Sequence, residues 1–179
     1  MNKNLLLAFC ALAIPVACLA DGQWTLERSS LTYHVSHPLH QSEGVSRAAK
    51  GKGVCHSGQC DFLIAVPVKS FESGDSNRDL HMLQVVRGAQ FPMVTVRFRL
   101  PEDAVTQPGI LVDLDVEFAG HAAHYKQVSF QHTIQGSENR ITGTIPAKMS
   151  DFAIEPPSLL AIPTKDEIPV RVEMTWRPM

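Results

Sequence analysis

Histidines recur at close spacing in two parts of this 179-residue sequence. His34, His37 and His40 lie three residues apart, and "GHAAH" contains His121 and His124. Imidazole is the commonest metal ligand in proteins, so a His-rich metal-binding protein is one function that stays open. However, a three-residue spacing brings imidazoles together only on a helix, and both stretches have the pattern of strands, in which His34 and His37 face opposite sides. We therefore predict no dedicated metal site.

The stretch "VCHSGQC" predicts a disulfide between Cys55 and Cys60. Ser57-Gly58 supplies turn chemistry between them, and opposed residues of an antiparallel hairpin lie about 4.5–5.5 Å apart at Cα, within the range of a disulfide. The spacing matches neither the C-x-x-C redox motif nor the C-x-x-C-H haem motif. A metal site made of Cys55, His56 and Cys60 is the alternative.

The segment "SFESGDSNRDLHML", residues 70–83, is too long and too polar for a hairpin loop. Ser76 and Asp79 have the spacing of a capping box, with Ser76 as N-cap, and Gly88 follows as a stop signal. The apolar residues of the predicted helix recur on one face, at Leu80, Leu83 and Val86. We expect this helix to lie across an opening of the fold, with Arg78 and His81 near the entrance. Alternatively, Arg78, Asp79 and His81 only cap and solvate the helix.

The sequence contains no signature of a catalytic site. The G-x-S-x-G elbow, the H-E-x-x-H motif and a paired-carboxylate motif do not occur in it, so we predict that the protein is not an enzyme. The formal net charge is −2, and there is no basic block. A mildly acidic chain of this kind is a poor candidate for binding nucleic acid.

Most of the chain alternates between apolar and polar residues with a period of two, which is typical of antiparallel strands with one buried face. The predicted buried faces include Leu31, Tyr33, Val35 and His37; Val94, Val96, Phe98 and Leu100; Val112, Leu114, Val116 and Phe118; Ile141, Gly143, Ile145 and Ala147; and Ile168, Val170, Val172, Met174 and Trp176.

Several long strands share this buried face, and one or two short helices cannot cover it. Closing the sheet removes the wet face and the open edges together, so we predict an all-β fold: an antiparallel, eight-stranded barrel with one or two short inserted helices. A two-sheet sandwich is the alternative. A barrel of this size can enclose a small ligand or be filled by its own side chains.

His132 interrupts the apolar face of "QVSFQHTI", where Val128, Phe130 and Ile134 occupy the matching positions. An inward imidazole needs a hydrogen-bond partner. We expect either a neighbouring protein group or the head group of a ligand, together with Tyr33 or His37, to supply it.

Four stretches, "SSLTYHVSHPLH", "ESGDSNRDLHM", "FPMVTVRF" and "GTIPAKMSDFAIE", resemble the YceI-like, polyisoprenoid-binding family. The resemblance extends from about Trp24 to Trp176, and "SNRDLHM" followed by "FP" is its most specific part. Two features depart from the family pattern: Ala153 stands where Gly is common after "DF", and "VCHSGQC" is not a general family feature.

The resemblance implies a lipocalin-like, eight-stranded barrel that is periplasmic or secreted and encloses a long isoprenoid or quinone-like lipid. No other cofactor is expected. A membrane redox protein is a candidate partner, and a monomer or a homodimer is expected. The residues predicted to contact the lipid are Tyr33, Phe62, Ile64, Arg78, His81, Phe91, Phe98, Val116, Phe118, Phe130, His132 and Ile145.

Residues 1–20 have the layout of a cleaved signal peptide: a positive start at Lys3, an uncharged apolar run from Leu5 to Ala17, and a small residue at Ala20. The run is short for a membrane span. A membrane anchor and a lipoprotein modified at Cys18 are the alternatives. We predict a signal peptide at 1–20 and one lipid-binding barrel domain at 21–179.

Overall fold

The structure is a computed structural model that describes residues 22–159 and 161–179. The predicted signal peptide lies outside the described residues. The strands are β1 (Gly22–His37), β2 (His40–Ser46), β3 (Lys50–His56), β4 (Gln59–Pro67), β5 (Met93–Pro101), β6 (Gly109–Phe118), β7 (His121–Gln135), β8 (Glu138–Ile145), β9 (Ser158–Leu159), β10 (Ile162–Pro163) and β11 (Val170–Pro178). One α-helix, α1 (Ser76–Val85), and three short 3-10 turns, at Val68–Ser70, Glu102–Thr106 and Ser150–Phe152, complete the described part.

The strands form a closed antiparallel barrel of eight strands, as predicted. The order is β11-β8-β7-β6-β5-β4-β3-β1, and β1 also pairs with β11, which closes the sheet. Closure joins the first strand to the last, from Trp24 opposite Pro178 to Tyr33 opposite Val170. Because every strand of the ring then has two neighbours, the apolar face is enclosed and the ring has no free edge.

Two shorter strands, β2 and β3, pair with the same side of β1, and the break between them makes room for the segment that carries the helix. β2 pairs with the second half of β1 and β3 with its first half, in one continuous register across residues 47–49. β3 continues to β4, whereas the outer edge of β2 forms a bridge between Val45 and Glu72. The segment that leads into α1 therefore takes the place of β4 beside β2.

The chain connections give the barrel two different ends. The helix end carries residues 38–39, the segment 68–92 with α1, residues 119–120 and the long connection 146–169. The disulfide end carries residues 57–58, 102–108 and 136–137. The names helix end and disulfide end are used below for these two groups of connections.

The predicted alternation is confirmed along β6, where Ile110, Val112, Leu114 and Val116 are buried and the intervening residues are exposed. On β7 the alternation changes phase at a bulge. Two residues of β7 oppose Asp113 of β6, and Gln127 has a φ of 54° while its N–H donates to the Asp113 carboxylate. Because of this bulge, Tyr125 and Val128 both point inward.

The prediction that Ile134 continues the buried face is wrong. Ile134 is 51% exposed, because β7 has already reached the disulfide end at this point. The alternation predicts a side of the strand, but the length of the barrel decides where that side stops being covered.

Cys55 and Cys60 form the predicted disulfide. They are directly opposed on β3 and β4, with Cα atoms 3.9 Å apart, and both side chains are buried. Ser57 and Gly58 form the two-residue turn with φ values of 52° and 80°, as a twisted hairpin requires.

The N-cap of α1 differs from the prediction by one residue. Asp75, rather than Ser76, is the N-cap, and its carboxylate accepts hydrogen bonds from the N–H groups of Asn77 and Arg78. Asp79 accepts from the N–H of Ser73, which lies before the helix. Ser and Asp are both strong N-caps, so the spacing alone did not distinguish them.

The helix ends before Gly88, but Gly88 is not its left-handed residue. Gly88 N–H donates to the Leu83 carbonyl and Arg87 N–H donates to Gln84, the two bonds of a Schellman motif. The left-handed position is Arg87, with a φ of 53°. A Cβ at Gly88 would lie 2.8 Å from Leu83 Cδ2, so a larger residue there would have to shift that side chain. Over the described ranges, no helix has the length and apolar character needed to cross a bilayer.

Candidate functional site

The barrel encloses a cavity of about 390 Å³. Its wall consists almost entirely of apolar side chains from the inward faces of the strands, completed at the helix end by α1. Among the described residues, the polar side chains of the wall lie mainly at its two ends. The structure therefore resolves the question left open by the sequence, since the barrel is not completely filled by its own side chains.

The helix end of the cavity carries the cationic and hydroxyl groups. Arg78 and His81 of α1 line it together with Tyr33 of β1 and His40 and Ser42 at the start of β2. Burial raises the pKa of the Tyr33 hydroxyl, Asp79 raises it further and Arg78 opposes the rise. Tyr33 therefore stays protonated and can donate a hydrogen bond at the mouth of the cavity.

Gly44 leaves the space that the ring of Tyr33 occupies. Gly44 lies directly opposite Tyr33 on β2, and a Cβ at Gly44 would lie 2.4–2.6 Å from the ring and hydroxyl atoms of Tyr33. On its other side, Tyr33 packs against Phe71 with ring centroids 5.6 Å apart. Any side chain at position 44 would therefore displace the Tyr33 ring from the cavity wall.

The face of α1 that lines the cavity shares Val86 with the predicted apolar face but does not include Leu80 or Leu83. The cavity is lined by Arg78, His81, Met82 and Val85, and by Val86 at the C-cap, whereas Leu80 is 56% exposed on the opposite side. The prediction placed the helix by its leucines. The long apolar stem of Arg78 and the ring of His81 can instead cover apolar surface while their polar ends stay near water.

Contacts at the end of α1 fix the helix over the barrel. The guanidinium of Arg87 donates to the Ala119 carbonyl at 2.8 Å, in the β6–β7 turn. The same group lies 4.9 Å from the centre of the Phe91 ring. Phe91 covers Gly120, where a Cβ would lie 2.5 Å from the ring. Phe91 packs against the β6–β7 turn and the end of α1, and, unlike the other predicted contact residues, it is not among the residues that line the cavity.

The disulfide end of the cavity carries His132 and Asn139. His132 is buried and points inward, as predicted. Its ring nitrogens lie 2.9 Å from the Gln107 carbonyl and 3.0 Å from Asn139 Oδ1. Neither Tyr33 nor His37 is its partner; Tyr33 lies toward the opposite end of the barrel. The sequence alone did not reveal these partners, because the connection 102–108, which contains Gln107, is brought beside His132 only when the barrel folds.

The disulfide end also contains an aromatic cluster. Phe62 stacks on Phe98 with centroids 4.9 Å apart and meets Trp176 edge-on at 5.3 Å. Gly53 accommodates this cluster, since a Cβ there would lie 2.3 Å from the Phe62 ring. Trp176 lines the cavity, although it was predicted only as a buried residue.

Eleven of the twelve predicted contact residues line the cavity: Tyr33, Phe62, Ile64, Arg78, His81, Phe98, Val116, Phe118, Phe130, His132 and Ile145. Their contact with a ligand stays a prediction. The sequence analysis missed Met82 and Val85 of α1, and also Asn139. Asn139 lies two residues before Ile141, on the same inward face of β8, so extending the alternation by one step toward the turn would have identified it.

The stretch "GTIPAKMSDFAIE" packs against the same barrel. Tyr125 donates to the Asp151 carboxylate at 2.7 Å, and its pKa is raised by burial and by Asp151. Phe152 is buried edge-on against Phe118, with centroids 5.3 Å apart. Ala153, which follows, has a φ of 51°, a left-handed conformation that favours glycine.

Of the histidines at close spacing, His37 and His40 have their ring centres 5.1 Å apart, whereas His34 and His124 face other groups. His37 is buried and bonded to the Ile162 carbonyl and the Leu39 N–H, whereas His34 faces Glu43. His124 contacts Asp115 on the outer surface. In the part of the chain that the structure describes, no group of three or more His, Cys, Asp or Glu residues is arranged to hold a metal ion.

No protein-family model matches the sequence, and no curated protein matches it. Solved structures do match. BcnA from Burkholderia cenocepacia superposes with a TM-score of 0.69 at 15% identity, over 82% of this chain and 95% of BcnA. A polyisoprenoid-binding domain from Saccharophagus degradans has a TM-score of 0.69 at 14% identity, over 87% of this chain and 98% of the domain.

A YceI protein from Campylobacter jejuni has a TM-score of 0.52 at 10% identity, over 98% of this chain and 97% of that protein. These similarities confirm, at the level of the fold, the resemblance predicted from the sequence. This chain has the fold of the YceI-like, polyisoprenoid-binding barrels.

Proposed function

We propose that this protein is a non-catalytic carrier that encloses the apolar chain of an isoprenoid or quinone-like lipid in its barrel. The supporting observation is the continuous apolar cavity of about 390 Å³, with a cation and hydroxyl groups confined to its helix end. Each buried CH₂ group stabilises the complex by about 0.8 kcal/mol, so burial of even part of a long chain gives useful affinity.

The polar end of the lipid is proposed to lie at the helix end. Arg78 offers a fork of donors suited to phosphate or carbonyl oxygens, and Tyr33 is held protonated beside it. The nearest ion-pair partner of Arg78 is the N-cap Asp75, at 3.7 Å. This contact is longer than a direct hydrogen bond, so the donors of Arg78 remain available to a ligand.

The direct test is mass spectrometry of an organic extract from the purified protein. A long-chain lipid at near-stoichiometric amount is expected. An extract without lipid from protein that also fails to bind an added isoprenoid would contradict the proposal. A stoichiometric metal in the intact protein would favour the metal-binding alternative instead.

Arg78→Ala is expected to reduce lipid retention more than it lowers the melting temperature, because Arg78 lines the mouth and is itself exposed. Arg97→Ala is the matched control, since Arg97 lies on the outer surface and pairs with Glu117. Equal retention in both variants would leave Arg78 with a purely structural role in the helix.

We further propose export to the periplasm, or secretion, with cleavage before Asp21. The signal layout of residues 1–20 and the Cys55–Cys60 disulfide, a bond of oxidising compartments, support this proposal. Intact mass of the exported protein tests it. A diacylglyceryl group on Cys18 would show a lipoprotein instead.

A further inference from the structure

β5 and β6 are neighbours in the ring, but the ladder between them is short. It lies in the half of the barrel nearer the helix end, and its last pair is Arg97 opposite Asp115. On their other sides, β5 pairs with β4 and β6 with β7 from end to end, apart from the bulge. Toward the disulfide end, the facing edges of residues 98–101 and 109–114 therefore have no strand partner within the described chain. We call this stretch the seam.

The β6–β7 bulge lies at the same level as the seam. Asp113, which two residues of β7 oppose, comes two positions before Asp115, where the β5–β6 ladder stops. A bulge bends its strands and increases their local twist. The bulge thus gives a physical reason for the divergence of β6 from β5.

Side chains do not close the seam either. Arg99 of β5 turns toward β4, where its guanidinium lies 2.6 Å from the Asp61 carboxylate. On the other side, the carboxylates of Asp113 and Asp115 both contact groups of β7. Among the residues that the structure describes, no side-chain hydrogen bond or ion pair crosses from one side of the seam to the other.

An open cleft lies on the outer surface at the seam, and two aromatic rings stand between it and the cavity. Phe62 and Phe98 line both the cavity and this outer cleft. Their rings are stacked with centroids 4.9 Å apart, and Phe98 is only half-buried. The wall of the barrel is therefore one layer of side chains at this point, without a backbone ladder across it.

The outer cleft also contains exposed apolar surface. Val54 of β3 is 48% exposed and Leu63 of β4 is 46% exposed, and both line the cleft. Both side chains belong to the outward face of their strands, which is otherwise polar at Lys52 and Asp61. Apolar surface thus continues from the cavity, past Phe62 and Phe98, to the outside of the barrel.

A long chain does not fit entirely inside the barrel. The cavity of about 390 Å³ lies near the lower end of the range of about 300–1,000 Å³ that suits drug-sized ligands. The disulfide end offers no straight continuation, because Trp176 and the His132–Asn139 pair occupy it together with Phe62.

We infer that the tail of a long isoprenoid chain leaves the barrel sideways through the seam and lies in the outer cleft on Val54 and Leu63. This inference rests on the proposed function, since it requires the chain to occupy the cavity with its polar end at the helix end. It adds a second binding site for the same ligand. Chains longer than the cavity are then bound, and the part of the chain beyond the cavity contributes to affinity.

The test compares the binding of a short prenol, farnesol, and a long prenol, solanesol, to delipidated protein. The cleft variant combines Val54→Thr and Leu63→Thr. The control variant combines Leu111→Thr and Ile134→Thr, whose side chains are more exposed but do not line the cleft. Threonine is favourable in strands, so both variants should keep the fold.

The cleft variant is expected to bind solanesol about tenfold more weakly than the original protein, because the tail loses two apolar contacts. Its affinity for farnesol should not change, since the short chain stays in the cavity. The control variant should bind both prenols as the original does. An unchanged affinity of the cleft variant for solanesol would overturn the inference, and so would equal losses for both prenols or in both variants.

A solanesol derivative with a photoreactive group at the end remote from its hydroxyl locates the tail directly. Labelling of Val54, Leu63 or Phe98 is expected after irradiation and digestion. Labelling confined to α1, or to the turns of the disulfide end, would overturn the inference.

Farnesol binding separates this inference from the proposed function. A protein that binds farnesol in its cavity but shows no specific effect of the cleft variant on solanesol keeps the proposed function and loses the seam inference. A protein that binds neither prenol and yields no lipid on extraction contradicts both.

Discussion

At the scale of single residues, His132 shows how a polar side chain is accommodated in an apolar barrel. Both of its ring nitrogens lie within hydrogen-bond distance of protein oxygens, on Gln107 and Asn139. A buried polar group is tolerated when such partners are present. The partners belong to the protein, so His132 is held in place independently of any lipid.

We expect His132→Leu to lower the free energy of unfolding by roughly 1–3 kcal/mol, because Asn139 and the Gln107 carbonyl lose a buried partner. The loss should be the same in lipid-loaded and lipid-free protein, measured by denaturant unfolding. His124→Leu on the outer surface is the control. A loss seen only in loaded protein would make the lipid the partner of His132.

Ala153 is a residue whose backbone conformation conflicts with its side chain. Its φ of 51° and ψ of 32° place it in the left-handed region, which is unfavourable for residues with a Cβ by roughly 1–2 kcal/mol. Replacement of Ala153 by glycine would remove this strain. Because glycine loses more backbone entropy on folding, the net gain in stability is only part of the strain energy. The left-handed conformation explains why glycine is common at this position in the family that the sequence resembles.

Ala153→Gly is therefore expected to raise the free energy of unfolding by about 0.5–1 kcal/mol. Ala122→Gly, at an exposed position of β7, should lower it by a similar amount, since glycine weakens a strand. Thermal unfolding of the two variants gives the comparison. Destabilisation at both positions would contradict the role assigned to the left-handed conformation.

At the scale of elements, α1 is held by its two ends. Asp75 caps the first turn, and Arg87 ties the last turn to the β6–β7 hairpin through the Ala119 carbonyl. The helix itself contains no buried residue. Its position over the mouth therefore depends on these terminal contacts and on the cavity-lining side chains Met82 and Val85.

Asp75→Ala should lower the stability of the helix by about 0.5–2 kcal/mol, the usual effect of removing an N-cap. Ser76→Ala should change it little, because Ser76 is the first helical residue and not the cap. Hydrogen exchange of the α1 amides measures the local effect directly. Equal effects at both positions would restore the capping box that the sequence predicted.

At the scale of the whole molecule, the two ends of the barrel are built differently. The disulfide end is closed by short turns, the aromatic cluster and the Cys55–Cys60 bond, which lies beside Gly22 at the start of β1. The helix end combines the polar mouth with the longest connections. Under the proposed function, this arrangement predicts that the lipid enters at the helix end.

Free-thiol titration of the unfolded, unreduced protein should detect no thiol from Cys55 and Cys60. Reduction should lower the free energy of unfolding by about 2 kcal/mol, because the closed loop is short. Comparison of denaturant midpoints with and without reductant measures this change. Two reactive thiols before reduction would return the pair to the metal-site alternative.

The sequence by itself determined the strand faces, the hairpin disulfide, the presence of α1 and most of the cavity wall. These features follow from local rules: side chains alternate with a period of two, and turn and cap residues act within a few positions. Such rules cannot place contacts between distant segments. The tertiary structure decided that β1 pairs with β11, that Gln107 meets His132, and that Phe91 packs against the β6–β7 turn. It also decided which face of α1 lines the cavity, because that face depends on packing across the mouth and not on the spacing of its leucines.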